Sequence, residues 1–547
     1  MKTRAIWGQI LCLTAFTCLF CLSACGSLGN SSSQSTNTAP ESLPYLVSVI
    51  EEPDTTDFQQ TTVHYTVALN VFDRLVEMQK ASDGTVTVSP SLAKSWEVSE
   101  DGLTYTFHLQ EGVNFSNGSP LTSSDVYYSF KRLLTHPKSC NQDIVQDILG
   151  ARDLADGKAT DLEGFQVVDD TTFKITLEKP SSAFLACLCM PGASILDQQS
   201  TEHQDECFGI DPEATIGTGP FVFDEWRNQD RLLLKPNKTY WNGPAMTNGL
   251  DLRFVYDSET LDDMFKRGEL DIVNLDDLGD FGNNYLNGAS DLGKVVASPH
   301  IGIDYIALNE SIKPLDDVRV RKALQLALDR QALLDTAYNG SGKIENGIFP
   351  RGLYGFNPDL APIPHDINRA KELLEEAGLP DGFELVVSMR ATTPLWQRQL
   401  MMAAKSMWSE IGVNASIRIL SEEEFMSQRT SGKLACYTAS WAADYDDPDN
   451  FIYTFFGSPE NTLNRSLCYP NTEVMQRVHD ARSITDENKR LEEYHELERL
   501  IVQEDAAWIP LFSRERHFLV SNRVQNFTTS WNGWFETCYK YMSVKAS

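Results

Sequence analysis

The sequence predicts a multidomain α/β protein, and three observations carry that reading. At 547 residues the chain exceeds what one hydrophobic core can organise and implies about two to four domains. A composition of 41% hydrophobic and 10% aromatic residues is that of a globular chain. Across residues 302–515, strand-like runs alternate with amphipathic helical patterns, as layered α/β domains require.

At the N-terminus, Lys2 and Arg4 precede an apolar run from Ile6 to Leu22, followed by Ser23-Ala24-Cys25-Gly26. That is the layout of a secretory signal. The run is too short and too flecked with Gly8, Gln9 and threonine for a spanning helix, which needs about 20 solidly apolar residues. Small residues ahead of a cysteine resemble the lipobox of bacterial lipoproteins, so residues 1–24 are expected to be removed and Cys25 lipidated. Residues 25–40 are rich in Ser, Thr, Asn and Gly and read as a flexible tether.

The net charge is −31, and without residues 1–24 there are 44 basic against 77 acidic residues, a net of −33. That balance argues against nucleic acid as a partner. Beyond Cys25 the seven cysteines are Cys140, Cys187, Cys189, Cys207, Cys436, Cys468 and Cys538, an odd number, so at least one thiol stays free or pairs between molecules. Cys187-Leu188-Cys189 fits neither a zinc knuckle nor a redox pair and reads as core.

The body begins with a strand candidate at Tyr45–Ile50, followed by helical spacing from Val63 to Val76. Asp101-Gly102 is a hairpin turn signal, and Tyr105, Phe107 and Leu109 alternate with polar residues as in a strand covered on one face. Asn117-Gly118 marks another turn. Thr122 can cap a helix from Ser123 through Arg132, with Asp125 completing a capping box. Further on, Val320, Ala323, Leu324, Ala327 and Leu328 form one apolar stripe, capped by Asp316 or Asp317. Asn368–Ala377 is a helix stopped by Gly378 and Pro380.

One stretch has chemistry of its own: Ser440-Trp441-Ala442-Ala443-Asp444-Tyr445-Asp446-Asp447-Pro448-Asp449-Asn450-Phe451. Proline and aspartate disfavour a helix here, and Ala435–Ala439 before it reads as a strand. A strand ending in Trp and Asp suits a cationic group, an amine held by carboxylate and ring together. The same residues also suit an acidic surface loop with Trp441 anchored in the core.

Trp96 with Ser99-Glu100-Asp101-Gly102-Leu103-Thr104-Tyr105-Thr106-Phe107-His108-Leu109, then Gly112-Val113-Asn114-Phe115 and Gly118-Ser119-Pro120-Leu121-Thr122 before Asp125-Val126, resembles the solute-binding proteins of peptide ABC importers. Gly217-Thr218-Gly219-Pro220-Phe221, Asn237 to Trp241, Lys266 to Ile272 and Asp317 to Leu324 are similar to the same family, in its order. The resemblance implies a periplasmic-binding-protein-like α/β fold: two lobes that close by a hinge, with an additional inserted domain. Carried onto this chain, lobe I comprises 41–72, 215–301 and 516–547; the additional domain II is 73–214; lobe III is 302–515.

It also implies a membrane-anchored receptor with no enzymatic activity and no cofactor, which captures peptides outside the cell and passes them to ABC permease and ATPase subunits. The protein is expected to be a monomer. The alternatives within the resemblance are a non-peptide solute, such as a metal chelate, haem or oligosaccharide, or a peptide-signal receptor. Trp441-x-x-Asp444 matches the family motif in which the aspartate meets the peptide's ammonium and the Trp forms the wall beside it. Ser440 and Ala442 would pair with the peptide as an added strand. Tyr128 and Asn274 match family contact positions, and Arg429 matches an arginine that meets longer peptides. Where relatives carry a basic residue three before the Trp, this chain has Thr438, and a family histidine is replaced near Gln397. Arg398 and Arg514 lie near cleft positions. Ala442 stands where a family disulfide partner would be. Asp446, Asp447 and Asp449 are expected to form turns and caps.

Enzyme signatures fail on inspection. His495-Glu496-Leu497-Glu498 begins like a zincin, but Arg499 occupies the second histidine position. Gly340-Ser341-Gly342-Lys343 lacks the first glycine and the final hydroxyl of a phosphate loop, and no metal-ligand spacing occurs among the nine histidines.

Overall fold

The computed structural model describes residues 45–81, 84–287, 291–534 and 536–545, all within one compact unit that spans Leu43–Ser547. The expected signal (1–24), the lipidation site at Cys25 and the tether (25–40) lie outside the described residues. The architecture is mixed α/β: two lobes, each around a large sheet, with an additional domain.

The first lobe is built on a seven-stranded sheet. In spatial order its strands are Gly293–Pro299, Glu515–Ser521, Ile272–Asn274, Leu46–Val49, Leu250–Arg253, Arg231–Pro236 and Phe221–Arg227. Leu46–Val49 is the pivot, parallel to both neighbours, while all other pairs are antiparallel. The other large sheet has six strands: Lys343–Ile344, Trp508–Ser513, Gly302–Leu308, Cys436–Ala442, Glu384–Arg390 and Asn414–Leu420. All seven residues of Gly302–Leu308 are buried, because helices cover both faces of this sheet.

Two crossings join the sheets. Gly293–Pro299 continues into Gly302–Leu308, and Trp508–Ser513 continues into Glu515–Ser521. They run side by side: the His300 N–H donates to the Arg514 carbonyl at 3.3 Å.

The additional domain carries a four-stranded antiparallel sheet, Ala93–Val98, Thr104–Leu109, Thr172–Thr176 and Phe165–Asp169. The alternation at Thr104–Leu109 is as the sequence predicts, and Phe107 stacks on Phe173 with ring centroids 5.2 Å apart. Across this sheet lies the helix Ser123–Thr135, which starts at the Thr122/Asp125 capping box and runs one turn past its expected end.

One expectation fails. The helical spacing of Val63–Val76 gives only Thr66–Val71, and Val76–Lys80 is a strand. Phe72, Leu75 and Val76 are buried, but in different cores, Phe72 in the first lobe and Leu75 and Val76 in the additional domain. The chain turns extended at Phe72 to reach the second.

The returning chain crosses the same point at Gly217-Thr218-Gly219. The Gly219 N–H donates to the Val71 carbonyl at 2.8 Å. Asp73 gathers the Thr218 hydroxyl at 3.0 Å, the Tyr240 hydroxyl at 3.0 Å and the Trp241 indole N–H at 2.9 Å. A Cβ at Gly217 would stand 2.1 Å from the Val71 carbonyl oxygen. Gly217→Ala is therefore expected to destabilise the protein by about 1–3 kcal/mol through forced backbone displacement. Scanning calorimetry checks this, and an unchanged melting temperature would contradict the packing described.

Candidate ligand-binding site

The Cys436–Ala442 strand pairs along its length with Gly302–Leu308, from Cys436 opposite Leu308 to Ala442 opposite Gly302. Ala443 donates to Ile301 at 2.9 Å and Asn309 to Ala435 at 3.0 Å. In an antiparallel ladder this phase turns the backbone groups of Tyr437, Ala439 and Trp441 toward Gly302–Leu308. Thr438, Ser440 and Ala442 turn theirs the other way. On that side Glu384–Arg390 meets the strand only at Val387 opposite Cys436. Beyond it, among the described residues, the edge has no strand neighbour. Ser440 and Ala442 thus present N–H and C=O groups to an open edge.

The strand ends at a clamp built by Asn450, a buried residue in the first turn of the helix Asp449–Phe456. Its Oδ1 accepts from the Trp441 indole N–H at 3.3 Å and from the Asp444 N–H at 3.0 Å, while its Nδ2 donates to the Asp444 carboxylate at 3.0 Å. Trp441 is further fixed edge-on against Phe455, ring centroids 5.4 Å apart. Asn450 was not singled out by sequence reasoning. Its only signal is that it follows Pro448-Asp449 at a helix start.

Asp444 is open to solvent but lies deep between domains. Protein packed around it strips enough water to push its carboxyl up to about 6, opposed by the Asn450 bond and reinforced by Asp143. Asp143 belongs to the short helix Gln142–Ile144 of the additional domain and is also open to solvent. Asp143 is near enough for its charge to act on Asp444. Tyr65 of the first lobe and Arg465 are within electrostatic reach of Asp444.

The next carboxylates behave differently from expectation. Asp447 does accept from the Asp449 N–H at 2.9 Å, as a turn former would, yet it is buried against Arg490 at 2.8 Å. Asp449 is buried against Arg482 at 3.1 Å and accepts from the Tyr445 hydroxyl at 3.1 Å. Asp446 accepts from the Tyr354 N–H at 2.7 Å. They are ion-pair and anchoring residues more than caps, because Arg482 and Arg490 fold in beneath the loop.

Tyr445 leaves its own lobe altogether and packs in the hydrophobic core of the additional domain. Beside it Arg482 also reaches Asp147 at 2.9 Å, and the Ser182 N–H donates to the Arg482 carbonyl at 3.2 Å. The additional domain and the six-stranded lobe are therefore in contact on the far side of Asp444.

Other expected positions divide. Tyr128 is not brought to Asp444: its hydroxyl sits among Arg132, Asp205, Glu202 and Asp57, and the residue packs against the core of the first lobe. The helix face that carries it is turned by Arg132, buried against Asp57 at 2.8 Å. Asn274 caps the short helix Leu275–Leu278, accepting from the Asp276 N–H at 3.2 Å. Arg398 donates to the carbonyls of Thr393 and Ala391 and so braces a loop. Arg429 ends the helix Glu422–Thr430 near Tyr305, Tyr437 and Arg465. Thr438 and Gln397, the two departures from the family pattern, meet each other, the amide donating to the hydroxyl. Ser440 donates its hydroxyl to Asp304, which also accepts from Tyr338 at 2.9 Å. Arg514 stands over Trp396 and Tyr338 at the crossing, 3.8 Å from Asp276. The seven described cysteines are all free, Cys187 and Cys189 buried as expected.

Two lobes, an additional domain and an open strand edge that ends at Asp444 are the architecture of a solute-binding protein. Residues 87–462 match the family described as "Bacterial extracellular solute-binding proteins, family 5 Middle", and the chain belongs to that family. It is 30% identical over 487 residues to the heme-binding protein A of Haemophilus influenzae, covering 84% of each chain. It is 29% identical over 470 residues to the dipeptide-binding protein of Escherichia coli, covering 82% of this chain and 84% of that one. In fold it is similar to a periplasmic oligopeptide-binding protein of Borrelia burgdorferi, with a TM-score of 0.77 at 24% identity, covering 92% of this chain and all of the other.

Asn450→Ala removes all three bonds of the clamp. Ligand affinity is expected to fall about tenfold or more, the size of a lost hydrogen bond to a charged group. Titration calorimetry with whatever solute the protein carries from culture, identified by mass spectrometry, checks this. Unchanged affinity would separate Asn450 from the site.

Proposed function

We propose that the protein captures peptides outside the cell and delivers them to the permease and ATPase subunits of an ABC importer, as a non-enzymatic receptor. The observation that carries the reading is the open edge of Cys436–Ala442 running to an oriented, ionisable Asp444. An extended peptide offers what that edge lacks, backbone N–H and C=O groups in strand register. Its α-ammonium offers Asp444 a charge-assisted bond. Both features belong to every peptide, so the site grips the class and leaves side chains to roomier surroundings.

A carboxylate facing the ligand also argues against the haem named for one relative, since haem propionates are anionic and an unmatched buried charge pair is costly. In this reading Ser440 and Ala442 supply backbone bonds, Trp441 walls the ammonium, and Asp444 neutralises it. Arg429 stands within electrostatic reach of Arg465 on the Trp441 face, while Tyr128 and Asn274 act only indirectly. Closure brings the additional domain onto the six-stranded lobe, and the closed shape is what the permease recognises. The receptor works as a monomer held at the extracytoplasmic face of the cell membrane by lipid on Cys25.

The site's pH behaviour tests the assignment of Asp444. Its carboxyl, raised to about 6 chiefly by burial, must be ionised to hold an ammonium. Affinity for a free-amine tripeptide is expected to fall about tenfold from pH 7 to pH 5 as the group protonates. N-acetylation or Asp444→Asn should weaken binding at pH 7 and flatten this dependence. Calorimetry that finds equal affinity for the acetylated peptide sinks the assignment. For the anchor, Cys25→Ala is expected to move the protein from the membrane to the soluble fraction; retention on membranes refutes the lipid.

A further inference from the structure

The open-edged strand has two faces, and they differ in charge. Successive side chains alternate, so Tyr437, Ala439 and Trp441 share one face with Tyr305, packing with the same core. Thr438 and Ser440 share the other, with Gln397 and Asp304. A ligand strand added at this edge sends its own side chains alternately to the same two faces.

The Trp441 face carries two guanidinium groups. Arg465 lies over the rings of Phe455 and Trp441, at 4.8 and 5.2 Å from their centroids. Arg429 comes within electrostatic reach of it from the last turn of its helix. Among the described residues neither side chain has an ion pair or a hydrogen bond, although most arginines of this acidic chain do. The Nε of Arg429 is fully buried and has no partner. Like charges side by side, one with a dry unpaired donor, are a cost that a bound anion removes.

Charge counting identifies that anion. The carboxylates that Arg465 feels are Asp444 and Asp143, both beyond ion-pair distance. Once a ligand ammonium neutralises Asp444, only Asp143, which also feels Arg482, is left to offset Arg465, and Arg429 adds a second unpaired guanidinium, so a positive surplus remains. One ligand carboxylate balances it. Arg465 lies over Trp441, three residues before Asp444 and off the strand axis, where a side chain of the ligand's first residues projects. A terminal carboxylate would instead continue along the axis toward Thr438.

We propose that Arg465, with Arg429, forms a carboxylate subsite on the Trp441 face that selects peptides bearing an acidic side chain among their first residues. This rests on the peptide reading above and deepens it to a substrate class.

The test is calorimetry on the full folded chain with C-terminally amidated tripeptides, Glu-Ala-Ala and Ala-Glu-Ala, each beside its Gln counterpart, and with Ala-Ala-Ala as free acid and as amide. One Glu peptide is expected to bind about tenfold or more tightly than its Gln partner, as a charge-assisted pair gives. Arg465→Gln should lower affinity for that Glu peptide much more than for the Gln one, with Arg429→Gln as a second variant should the first not fold. Equal affinity within both Glu/Gln pairs overturns the proposal and leaves the peptide reading standing. So does a Glu preference that survives both variants. A preference only for the free acid of Ala-Ala-Ala over its amide, lost in Arg465→Gln, reassigns the subsite to the terminal carboxylate and overturns the side-chain claim. Binding of none of these peptides removes the peptide reading itself.

Discussion

The structure turns on a strand paired along one edge only. Cys436–Ala442 is held in full register by Gly302–Leu308, a strand buried at every residue, and is met on the other side at a single residue. A free edge is normally a liability, because unpaired backbone groups recruit other chains. Here it lies between domains, where Tyr445 and Arg482 hold the additional domain against the same lobe. The hazard becomes a receptor by enclosure.

The four carboxylates after that strand, Asp444, Asp446, Asp447 and Asp449, show how burial sorts one residue type into separate tasks. Asp447 and Asp449 are buried and face arginines, so their charge is spent inside the fold. Among the described residues the Asp444 carboxylate has only the neutral amide of Asn450 as a hydrogen-bond partner, so its charge remains available. The distinction depends on Arg482 and Arg490, more than thirty residues away in sequence. No reading of the loop alone supplies it.

Much of the scaffold was legible because its signals are local. Thr122 with Asp125 announces a helix start, Asp101-Gly102 a turn, and the Tyr105-Phe107-Leu109 alternation a one-sided strand; each holds. The stretch after Ser440 stood out as a candidate site through its Trp-x-x-Asp spacing, and the open edge beside it follows from register. What failed was non-local. Val63–Val76 looked like one helix because burial in two different cores mimics a single apolar stripe. Tyr128 carries a suggestive motif, but which face of its helix meets the interdomain space is decided by Arg132 and Asp57. Arg465, Asp143 and Asn450 gather at the site from separate segments and carry no motif at all.

Asp444 and Tyr445 are adjacent residues with opposite destinations, one open to the interdomain space and the other seated in the core of the neighbouring domain. A solute held at Asp444 is thus one peptide bond from the hydrophobic contact that keeps the domains together. Unseating Tyr445 exposes apolar surface and strains the Arg482–Asp147 bridge, so separating the two domains carries that cost. In the peptide reading, opening this interface adds to the barrier that the solute's own bonds set. In that reading, a membrane partner that pries the domains apart would lower that barrier.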